Sequence, residues 1–342
     1  MPKAELHVHL EGSIRPETLL LLAERNSVTL PMTTAAKTAE GLKRWYGFTD
    51  FRHFVEIYLT ISSCICSPED IEFIAREFLR GQAAQQVLHT EATFTPFTHY
   101  SLNRRIPFED QIAALGRARD WAARELEISV GWVLDIVRNV RPIEHGLTVA
   151  DWAIGGMKRG VVALGLGGIE AGNPPELFKE AFDRARAAGL PAVPHAGETA
   201  GAESIWGALR ALKAQRIGHG VRCLEDPELV AELRDRQIPL EVCPTSNVCL
   251  SVAPSLDEHP LPRLLDEGLY VTINSDDPPM FNTTLTDEYL RAAQILGCGA
   301  ETIEQLAINA VRASLLPETP RMEMERRFRS EFARLREEFA LC

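Results

Sequence analysis

The sequence predicts an α/β protein built as a barrel of eight parallel strands, each followed by a helix. Short apolar runs rich in β-branched residues alternate with helix-length amphipathic stretches along the 342 residues. Eight of these runs have strand length, which is the number that closes such a barrel. An open, doubly wound parallel sheet is the alternative. Because a barrel of this type commonly fills a chain of this length, we expect residues 1–342 to form a single domain.

The strands and helices of the predicted barrel can be placed in chain order. The predicted strands cover residues 4–10, 87–94, 129–137, 161–167, 191–197, 216–220, 239–244 and 270–277. Residues 175–189 carry apolar side chains at helical spacing and end at Gly189, and residues 202–214 and 226–237 follow the same pattern. Strands and helices therefore alternate over most of the chain.

Two segments do not fit a simple strand–helix repeat. Residues 11–86 are too many for one connection, so we expect extra helices there that cap the mouth of the barrel. Phe51 and Phe54 in this segment either line a pocket for an aromatic group or form the core of a capping helix. Residues 301–342 are helical and highly charged, which predicts a solvated surface helix.

The composition restricts the possible partners. The net charge of −12 argues against nucleic acid and against anionic membrane surfaces. The apolar runs are too short to span a bilayer, and the first residues lack the apolar core of a signal peptide. The seven cysteines form no C-x-x-C pair, so we expect reduced thiols in a cytoplasmic protein. A small-molecule substrate is the expected partner, and a homo-oligomer is compatible with the sequence.

Polar residues gather at the predicted strand ends, where barrel enzymes carry their chemistry. His7 and His9 share one face of the first strand because side chains two residues apart point the same way. The later strand ends supply further groups: His195, Glu198, His219, Asp276 and Asp277. Three histidines and one carboxylate form a plausible Zn²⁺ shell with an open position for water.

The remaining groups suit acid–base chemistry. A bound cation lowers the pKa of water towards roughly 7, and His219, which is not needed as a ligand, could take a proton from that water. Glu198 lies three residues beyond His195 and could protonate a substrate atom if burial raises its pKa. For each of these residues, taken alone, an ordinary structural role is the alternative.

Several other motif classes are excluded. The glycines at 165–168 lack the Lys-Ser/Thr of a P-loop, and no H-E-x-x-H protease motif is present. His89 and Glu91 match half of the signature of small nucleobase deaminases, but no P-C-x-x-C follows, so we interpret them as strand residues. The fourth strand ends without the lysine that often bridges two metals, which favours one metal ion.

The motifs KAELHVHLEGSIRPETLL, PHAGETAG, RIGHGVRCLEDPELV, PLEVCPTSNV and HPLPRLLDEGLYVTINSDDP resemble those of the adenosine deaminase family, within the amidohydrolase superfamily. The resemblance covers nearly the whole chain. It implies one divalent metal ion, Zn²⁺, held by His7, His9, His195 and Asp276.

The resemblance also implies a reaction. Glu198 would protonate N1 of a 6-aminopurine while hydroxide attacks C6 and ammonia leaves. His219 would steer the hydroxide, and Asp277 would contact N7. Gly168 would bring its backbone N–H close to N3, since glycine allows a close backbone approach.

The chain departs from the family pattern where the ribose 5′ end would bind. Glu11 stands where family members that act on adenosine usually have Asp. The stretches GWVLDIVRNV and ALGLGGIEAGNPP look more like bacterial members that deaminate aminodeoxyfutalosine, a 5′-extended adenosine analogue of menaquinone synthesis. That substrate carries an aromatic carboxylate, for which Arg138 or Arg141 is a candidate partner. A surface ion pair is the alternative role of these arginines.

Other functions stay open at this point. The substrate is predicted to be a purine nucleoside, adenosine or aminodeoxyfutalosine, and free adenine is the alternative. Another hydrolase of the same superfamily is the second class. A non-catalytic binding protein is the third, and the presence of Glu198, His219 and all four predicted ligands argues against it.

Overall fold

The computed structural model describes residues 1–31, 38–101, 105–297 and 299–340. Its centre is formed by eight strands that are all parallel to their neighbours. In chain order they are β1 (Lys3–His9), β2 (Val87–Phe94), β3 (Ser129–Val137), β4 (Val161–Gly167), β5 (His195–Ala196), β6 (Ile217–His219), β7 (Leu240–Val242) and β8 (Val271–Ile273).

The strands close into a barrel. They form two four-stranded sheets, β1 to β4 and β5 to β8, each in sequence order. Parallel bridges from Leu164 to Ala192 and from Val8 to Asp276 join the two sheets at both edges. The predicted eight-stranded α/β barrel is therefore confirmed, and the doubly wound sheet, which has open edges, is wrong.

The second half of the barrel has shorter strands than predicted. The predicted strand 191–197 is reduced to His195–Ala196, because Pro191 and Pro194 lack the N–H that a sheet ladder requires. Likewise β7 stops at Val242, and Pro244 opens the following helix. The strand ends nevertheless keep their predicted place in the barrel.

The helices follow the strands as expected. They are α1 (Pro16–Arg25), α2 (Ala39–Trp45), α3 (Phe51–Ser63), α4 (Pro68–Ala84), α5 (Pro96–Ser101), α6 (Phe108–Glu125), α7 (His145–Gly156), α8 (Lys179–Ala187), α9 (Ala202–Gly207), α10 (Pro227–Arg236), α11 (Pro244–Cys249), α12 (Leu261–Asp266), α13 (Leu285–Leu296), α14 (Ala300–Ala313) and α15 (Glu318–Phe339). None of the helices in the described ranges is long and apolar enough to cross a bilayer.

Local sequence signals set several helix starts. Ser67 and Asp70 form a reciprocal capping box at the start of α4, with Pro68 at the first helical position. Asp226 accepts the backbone N–H groups of Glu228 and Leu229 at the start of α10. These caps satisfy N–H groups that have no partner inside the helix.

In the described residues of the long segment between β1 and β2, the chain forms four helices, α1 to α4. Helix α3 supplies Phe54, Tyr58 and Leu59 to the wall of a cavity at the carboxyl ends of the strands, as the predicted cap requires. Phe54 is buried and stacks on Phe281 with ring centroids 5.7 Å apart. The side chain of Phe51 lies outside the described part of the chain.

The carboxyl-terminal segment is helical and its last helix is largely exposed, as predicted, but the segment is not a single solvated surface helix. It forms two helices, α14 and α15, and Phe328 and Phe332 of α15 are buried in the core cluster. The charge pattern obscures this face, because Phe328 and Phe332 are the only buried side chains of α15 and most of its other side chains are charged. Helix α14 packs on the outside of the barrel against β1 and β8, and α15 packs against α14.

Candidate active site

A cavity of about 290 Å³ opens at the carboxyl ends of the strands. It is lined by most of the residues that the sequence singled out: His9, Gly168, His195, Glu198, His219, Asp276 and Asp277. The position agrees with the rule that barrel enzymes keep their chemistry at this end. The polar groups form the floor, and side chains from α3 form part of the wall.

His7 is oriented by an internal carboxylate. Its Nδ1 donates to Oε2 of Glu241 at 2.9 Å, so its Nε2 faces Oδ1 of Asp276 at 3.6 Å. This Nε2 is buried and has no hydrogen-bond partner among the described residues. A histidine whose second nitrogen is held by a carboxylate is the arrangement typical of metal ligands.

His9, His195 and Asp276 meet His7 at the same point. Nε2 of His9 lies 3.1 Å from Nε2 of His195 and 3.3 Å from Oδ1 of Asp276. Ligand atoms bound at about 2.1 Å to a tetrahedral ion lie roughly 3.4 Å apart, so this spacing fits a metal. Nδ1 of His195 is held by the carbonyl of Leu166 at 3.1 Å, which directs its Nε2 into the cluster.

The charge of the cluster also favours a cation. Burial would lower the pKa of His7, but the Asp276 and Glu241 carboxylates raise it to about 10. Burial lowers the pKa of His9 and His195, and His7 adds to the shift in both, so these two imidazoles stay neutral and keep a lone pair. Three of the four predicted ligands, His7, His195 and Asp276, thus belong to the group that could hold a divalent metal ion, and His9 lies against His195 and Asp276.

One further histidine lies within reach of the metal position. Ligand atoms of His7, His195, His219 and Asp276 all lie within 4.8 Å of one another, so distance alone does not separate His219 from His9. Asp276 is fixed by the Ser246 hydroxyl, which donates to Oδ2 at 2.6 Å. Its other oxygen faces His7 and His9.

Glu198 stands on a loop that a second carboxylate holds in place. Glu170 accepts the backbone N–H groups of residues 197 to 200, at 2.7, 3.2, 2.8 and 2.8 Å in chain order. The side chain of Glu198 is buried, and burial together with the nearby Asp276 and Glu170 carboxylates raises its pKa to about 8. At neutral pH it therefore carries a proton that it can donate.

Asp277 is a second buried carboxyl group at the cavity. Burial and the adjacent Asp276 carboxylate raise its pKa well above the ordinary value, so the group is protonated and can donate a hydrogen bond. Oδ1 of Asp277 has no hydrogen-bond partner in the described part of the chain. Gly12 leaves room for this oxygen, since a Cβ there would lie 1.5 Å from it.

Gly168 forms the cavity wall with its backbone. Its φ of +87° lies in the left-handed region, and a Cβ would meet Oδ1 of Asn139 at 2.4 Å. The same Asn139 oxygen accepts the backbone N–H of Ile169 at 3.1 Å. Glycine is therefore required by both the conformation and the space.

Glu11 lies behind the wall rather than in it. Its carboxylate is fully buried and accepts from the backbone N–H of Thr95 and from Nε2 of His99, both at 2.9 Å. The hydroxyl of Tyr58, which lines the cavity, donates to it at 3.3 Å. Glu11 can therefore act on a ligand through Tyr58 and Thr95, which both line the cavity and hydrogen-bond to its carboxylate.

The two arginines proposed for a substrate carboxylate are placed differently. Arg138 is fully buried, and its Nη2 donates to the carbonyls of Leu166 and His195. Its interpretation as a cation at the mouth, or as a surface ion pair, is wrong. Arg141 is exposed but donates to the carbonyls of residues 138 and 140. Neither arginine is among the residues that line the cavity.

Several residues of the site were missed in the sequence. Asp135 at the end of β3 lines the cavity, and both its oxygens lack a hydrogen-bond partner among the described residues. Gly165 and Gly167 on β4 make room for it, since a Cβ on either would lie 1.9 or 2.4 Å from its oxygens. The others are Glu170, Glu241, Ser246 and Asn247. Their position at strand ends was the available signal.

His89 and Glu91 lie on β2, as their interpretation as strand residues requires. Oε2 of Glu91 lies 2.6 Å from Nη2 of Arg216, and Nε of the same arginine donates to Glu241 at 2.5 Å. Burial would raise the pKa of Glu241, but Arg216 and His7 hold it below the ordinary value. Glu91, Arg216 and Glu241 thus form a buried charge network that ends at Nδ1 of His7.

A closed α/β barrel with three histidines and an aspartate at its strand ends defines a metal-dependent hydrolase. The family model described as adenosine deaminase matches residues 2–330. The chain belongs to the adenosine deaminase family, and it is a hydrolytic deaminase.

Relatives within the family differ in substrate. An aminodeoxyfutalosine deaminase of Streptomyces avermitilis is 44% identical over 322 residues, which cover 92% of this chain and 87% of the relative. An adenine deaminase of Trichlorobacter lovleyi is 43% identical over 317 residues, covering 92% and 88%. The crystal structure of an amidohydrolase from Burkholderia ambifaria with bound zinc matches with a TM-score of 0.91 and 26% identity, covering 99% and 93%.

Proposed function

We propose that this protein is a zinc-dependent deaminase of a 6-aminopurine nucleoside and that aminodeoxyfutalosine is its preferred substrate. The buried, protonated Glu198 beside a four-ligand metal cluster carries the proposal of deamination. Three imidazoles and one carboxylate suit Zn²⁺. A solved structure similar to this chain contains zinc, which supports the same choice.

The residues of the site divide the reaction among them. When bound, a divalent cation supplies Lewis acidity and makes hydroxide available at neutral pH. Glu198 donates its proton to N1 of the purine, which makes C6 electrophilic. Asp277 donates a hydrogen bond to N7, and the backbone N–H of Gly168 faces N3. One water and one aminopurine give the 6-oxopurine and one ammonia.

The preference for a 5′-extended nucleoside rests on the outer part of the cavity. Beyond the polar floor, the wall continues with Val55 and Leu59 of α3, Thr98 and Ser101 of α5, and Val140. Free adenine would leave this mixed apolar and hydroxyl surface uncovered. A nucleoside with an aromatic extension would bury it, which favours binding by about 25 cal/mol per Å² of apolar surface.

Free adenine is the second candidate. It is favoured by the adenine deaminase relative, whose identity to this chain is 43%, nearly that of the aminodeoxyfutalosine deaminase relative. Steady-state loss of the 6-aminopurine absorbance, measured with zinc-loaded protein and four substrates, separates the two. We expect kcat/KM for aminodeoxyfutalosine to exceed the values for adenosine, 2′-deoxyadenosine and adenine. A higher kcat/KM for adenine would transfer the assignment to the free base.

A pair of variants tests the outer wall itself. Leu59 lines the cavity and is 46% exposed, so changes there should not disturb the core. Leu59→Glu should lower kcat/KM for the carboxylate-bearing nucleoside by charge repulsion, and Leu59→Gln is the matched neutral control. Neither should change turnover of adenine. An equal loss for both substrates would contradict the proposed position of the extension.

A further inference from the structure

A chain of hydrogen bonds runs from the start of α12 to His219. The backbone N–H of Leu261 donates to Nδ1 of His259 at 3.0 Å. A backbone N–H can only donate, so Nδ1 of His259 carries a lone pair and the proton of the neutral ring is on Nε2. Burial lowers the pKa of His259 to about 4, which keeps the ring neutral.

The donor and acceptor roles fixed at Leu261 determine the roles in the next two hydrogen bonds. Nε2 of His259 lies 3.2 Å from Oδ1 of Asn247, so this amide oxygen accepts. The amide nitrogen of Asn247 then faces Nδ1 of His219 at 3.2 Å and donates to it. The orientation of the amide, which is often ambiguous, is fixed here by a donor whose role is certain.

The three side chains are rigidly held and shielded. Asn247, His219 and His259 are 0, 1 and 3% exposed, so bulk water does not compete for their hydrogen bonds. The backbone N–H of Asn247 donates to Cys243, and its carbonyl accepts from the residues at 252 and 253. These backbone hydrogen bonds fix the position from which the Asn247 side chain reaches His219 and His259.

We propose that His259 and Asn247 are positioning residues that hold His219 as the tautomer protonated on Nε2, so that His219 donates a hydrogen bond into the active site. The catalytic role of this His219 tautomer rests on the proposed function. The Nε2 of His219 points towards Oε1 of Glu198 at 3.7 Å and Oδ2 of Asp276 at 3.9 Å. A donor there stabilises the oxygen that adds to C6.

This tautomer changes two expectations. A nitrogen that carries a proton has no lone pair for a metal, so His219 is separated from His7, His9 and His195, whose Nε2 atoms converge with Oδ1 of Asp276 on one point. A neutral imidazole of this tautomer also cannot accept a proton on Nε2 from water. His219 therefore acts as a hydrogen-bond donor in the neutral state, rather than as the base that the sequence suggested.

The tautomer can be measured without any activity. Long-range ¹H–¹⁵N correlation spectra of zinc-loaded protein labelled with ¹⁵N-histidine distinguish the two neutral forms, and a His219→Gln spectrum assigns the signals. We expect the wild-type ring to be protonated on Nε2. A proton on Nδ1 would overturn the proposal even if deamination is confirmed. A protein that deaminates no purine would overturn the proposed function and leave this result valid.

Variants test the control by Asn247. In Asn247→Asp the carboxylate can only accept, so the proton of His219 should move to Nδ1. We expect kcat to fall about 10²–10³-fold, as for loss of one donor to a developing oxyanion, with KM and zinc content unchanged. A switched tautomer with unchanged kcat would contradict the donor role. An unswitched tautomer would contradict the control by Asn247.

The role of His259 has a matched pair of variants. In His259→Gln the side-chain amide keeps an N–H near the position of Nε2, whereas the methionine of His259→Met has a similar size and no donor. We expect His259→Gln to retain the tautomer and most of kcat, and His259→Met to lose both. Equal kcat values and equal spectra in the two variants would show that His259 serves only packing and would overturn its place in the chain.

Discussion

Oε1 of Glu198 lies 3.7 Å from Nε2 of His219. The two groups come from successive strand ends, β5 and β6, and both face Asp276. A protonated carboxyl and an imidazole N–H thus stand side by side at one wall of the metal cluster. In the proposed reaction, this pairing places the proton donor to N1 of the purine beside the donor to the oxygen that adds to the neighbouring C6.

Removing the proton of Glu198 should stop the reaction without emptying the metal site. We expect Glu198→Gln to lower kcat by about 10²–10⁴-fold, the range of general acid catalysis, while zinc content by elemental analysis stays at the wild-type level. Glu180→Gln, on the exposed face of α8, is the matched control and should have wild-type activity. Turnover of Glu198→Gln equal to that of the control would refute the acid role.

The pH dependence should follow the same group. The pKa of Glu198 is raised to about 8 by burial, so the active, protonated form predominates below that pH and is lost above it. We expect kcat/KM to be level through neutral pH and to fall as pH rises through about 8. The measurement is a pH–rate profile of the zinc-loaded protein. Activity that increases across this range would show that the carboxylate form is the active one.

The carboxylate behind His7 should control metal affinity. Glu241 receives Nδ1–H of His7 at 2.9 Å, and loss of such an outer partner typically costs about 10–100-fold in metal affinity. We expect Glu241→Gln to lose zinc at a chelator concentration about 10–100-fold lower than the wild-type protein requires. Glu228→Gln, at an exposed position of α10, is the control. Identical chelator titrations for the two variants would remove Glu241 from the support of the site.

Two glycines of similar conformation separate backbone strain from substrate contact. Gly168 has φ +87° and Gly172 has φ +74°, but a Cβ meets Asn139 only at Gly168. Gly172→Ala should lose about 1–2 kcal/mol in free energy of unfolding from the left-handed backbone, and Gly168→Ala should lose at least as much because its Cβ also meets Asn139. Only Gly168→Ala should lower kcat/KM, by about 10²-fold, the effect of a misplacement near 1 Å. Denaturant unfolding and steady-state kinetics check this, and an equal kinetic loss in both variants would contradict the contact.

The buried ion pair between Glu91 and Arg216 should contribute to stability in acid. Burial would raise the pKa of Glu91, but Arg216 and His89 lower it to about 2 from 4.5. The stabilisation is therefore present above about 4.5 and is lost as pH falls towards 2. We expect Glu91→Gln to cost about 3–5 kcal/mol at neutral pH and to weaken the acid dependence of urea unfolding. A wild-type unfolding curve for this variant would contradict the role of the pair.

The sequence was sufficient for the groups whose position follows from one strand. His7 and His9 share a face by simple alternation, and His195, His219 and Asp276 follow short apolar runs. All of them lie at the carboxyl ends of the strands in the structure. The order of strands, and therefore the barrel, followed from the alternation of strands and helices.

The residues that support these groups were not predictable in the same way. Glu170 holds residues 197 to 200 across a distance of 27 to 30 positions in the chain, and His259 reaches His219 only through Asn247. Arg138 was misplaced because its direction depends on carbonyls of β4 and β5. Contacts of this kind depend on the closed barrel, and no local pattern records them.

The metal cluster and Glu198 are proposed to perform the hydrolytic deamination of a 6-aminopurine together. The most direct test follows 6-oxopurine and ammonia together, with protein stripped of metal by a chelator and the same protein reloaded with zinc. We expect one ammonia for each 6-oxopurine formed from aminodeoxyfutalosine, rapid after reloading and absent before it. Undiminished turnover by the stripped protein, or no turnover of any 6-aminopurine by the reloaded protein, would contradict the claim.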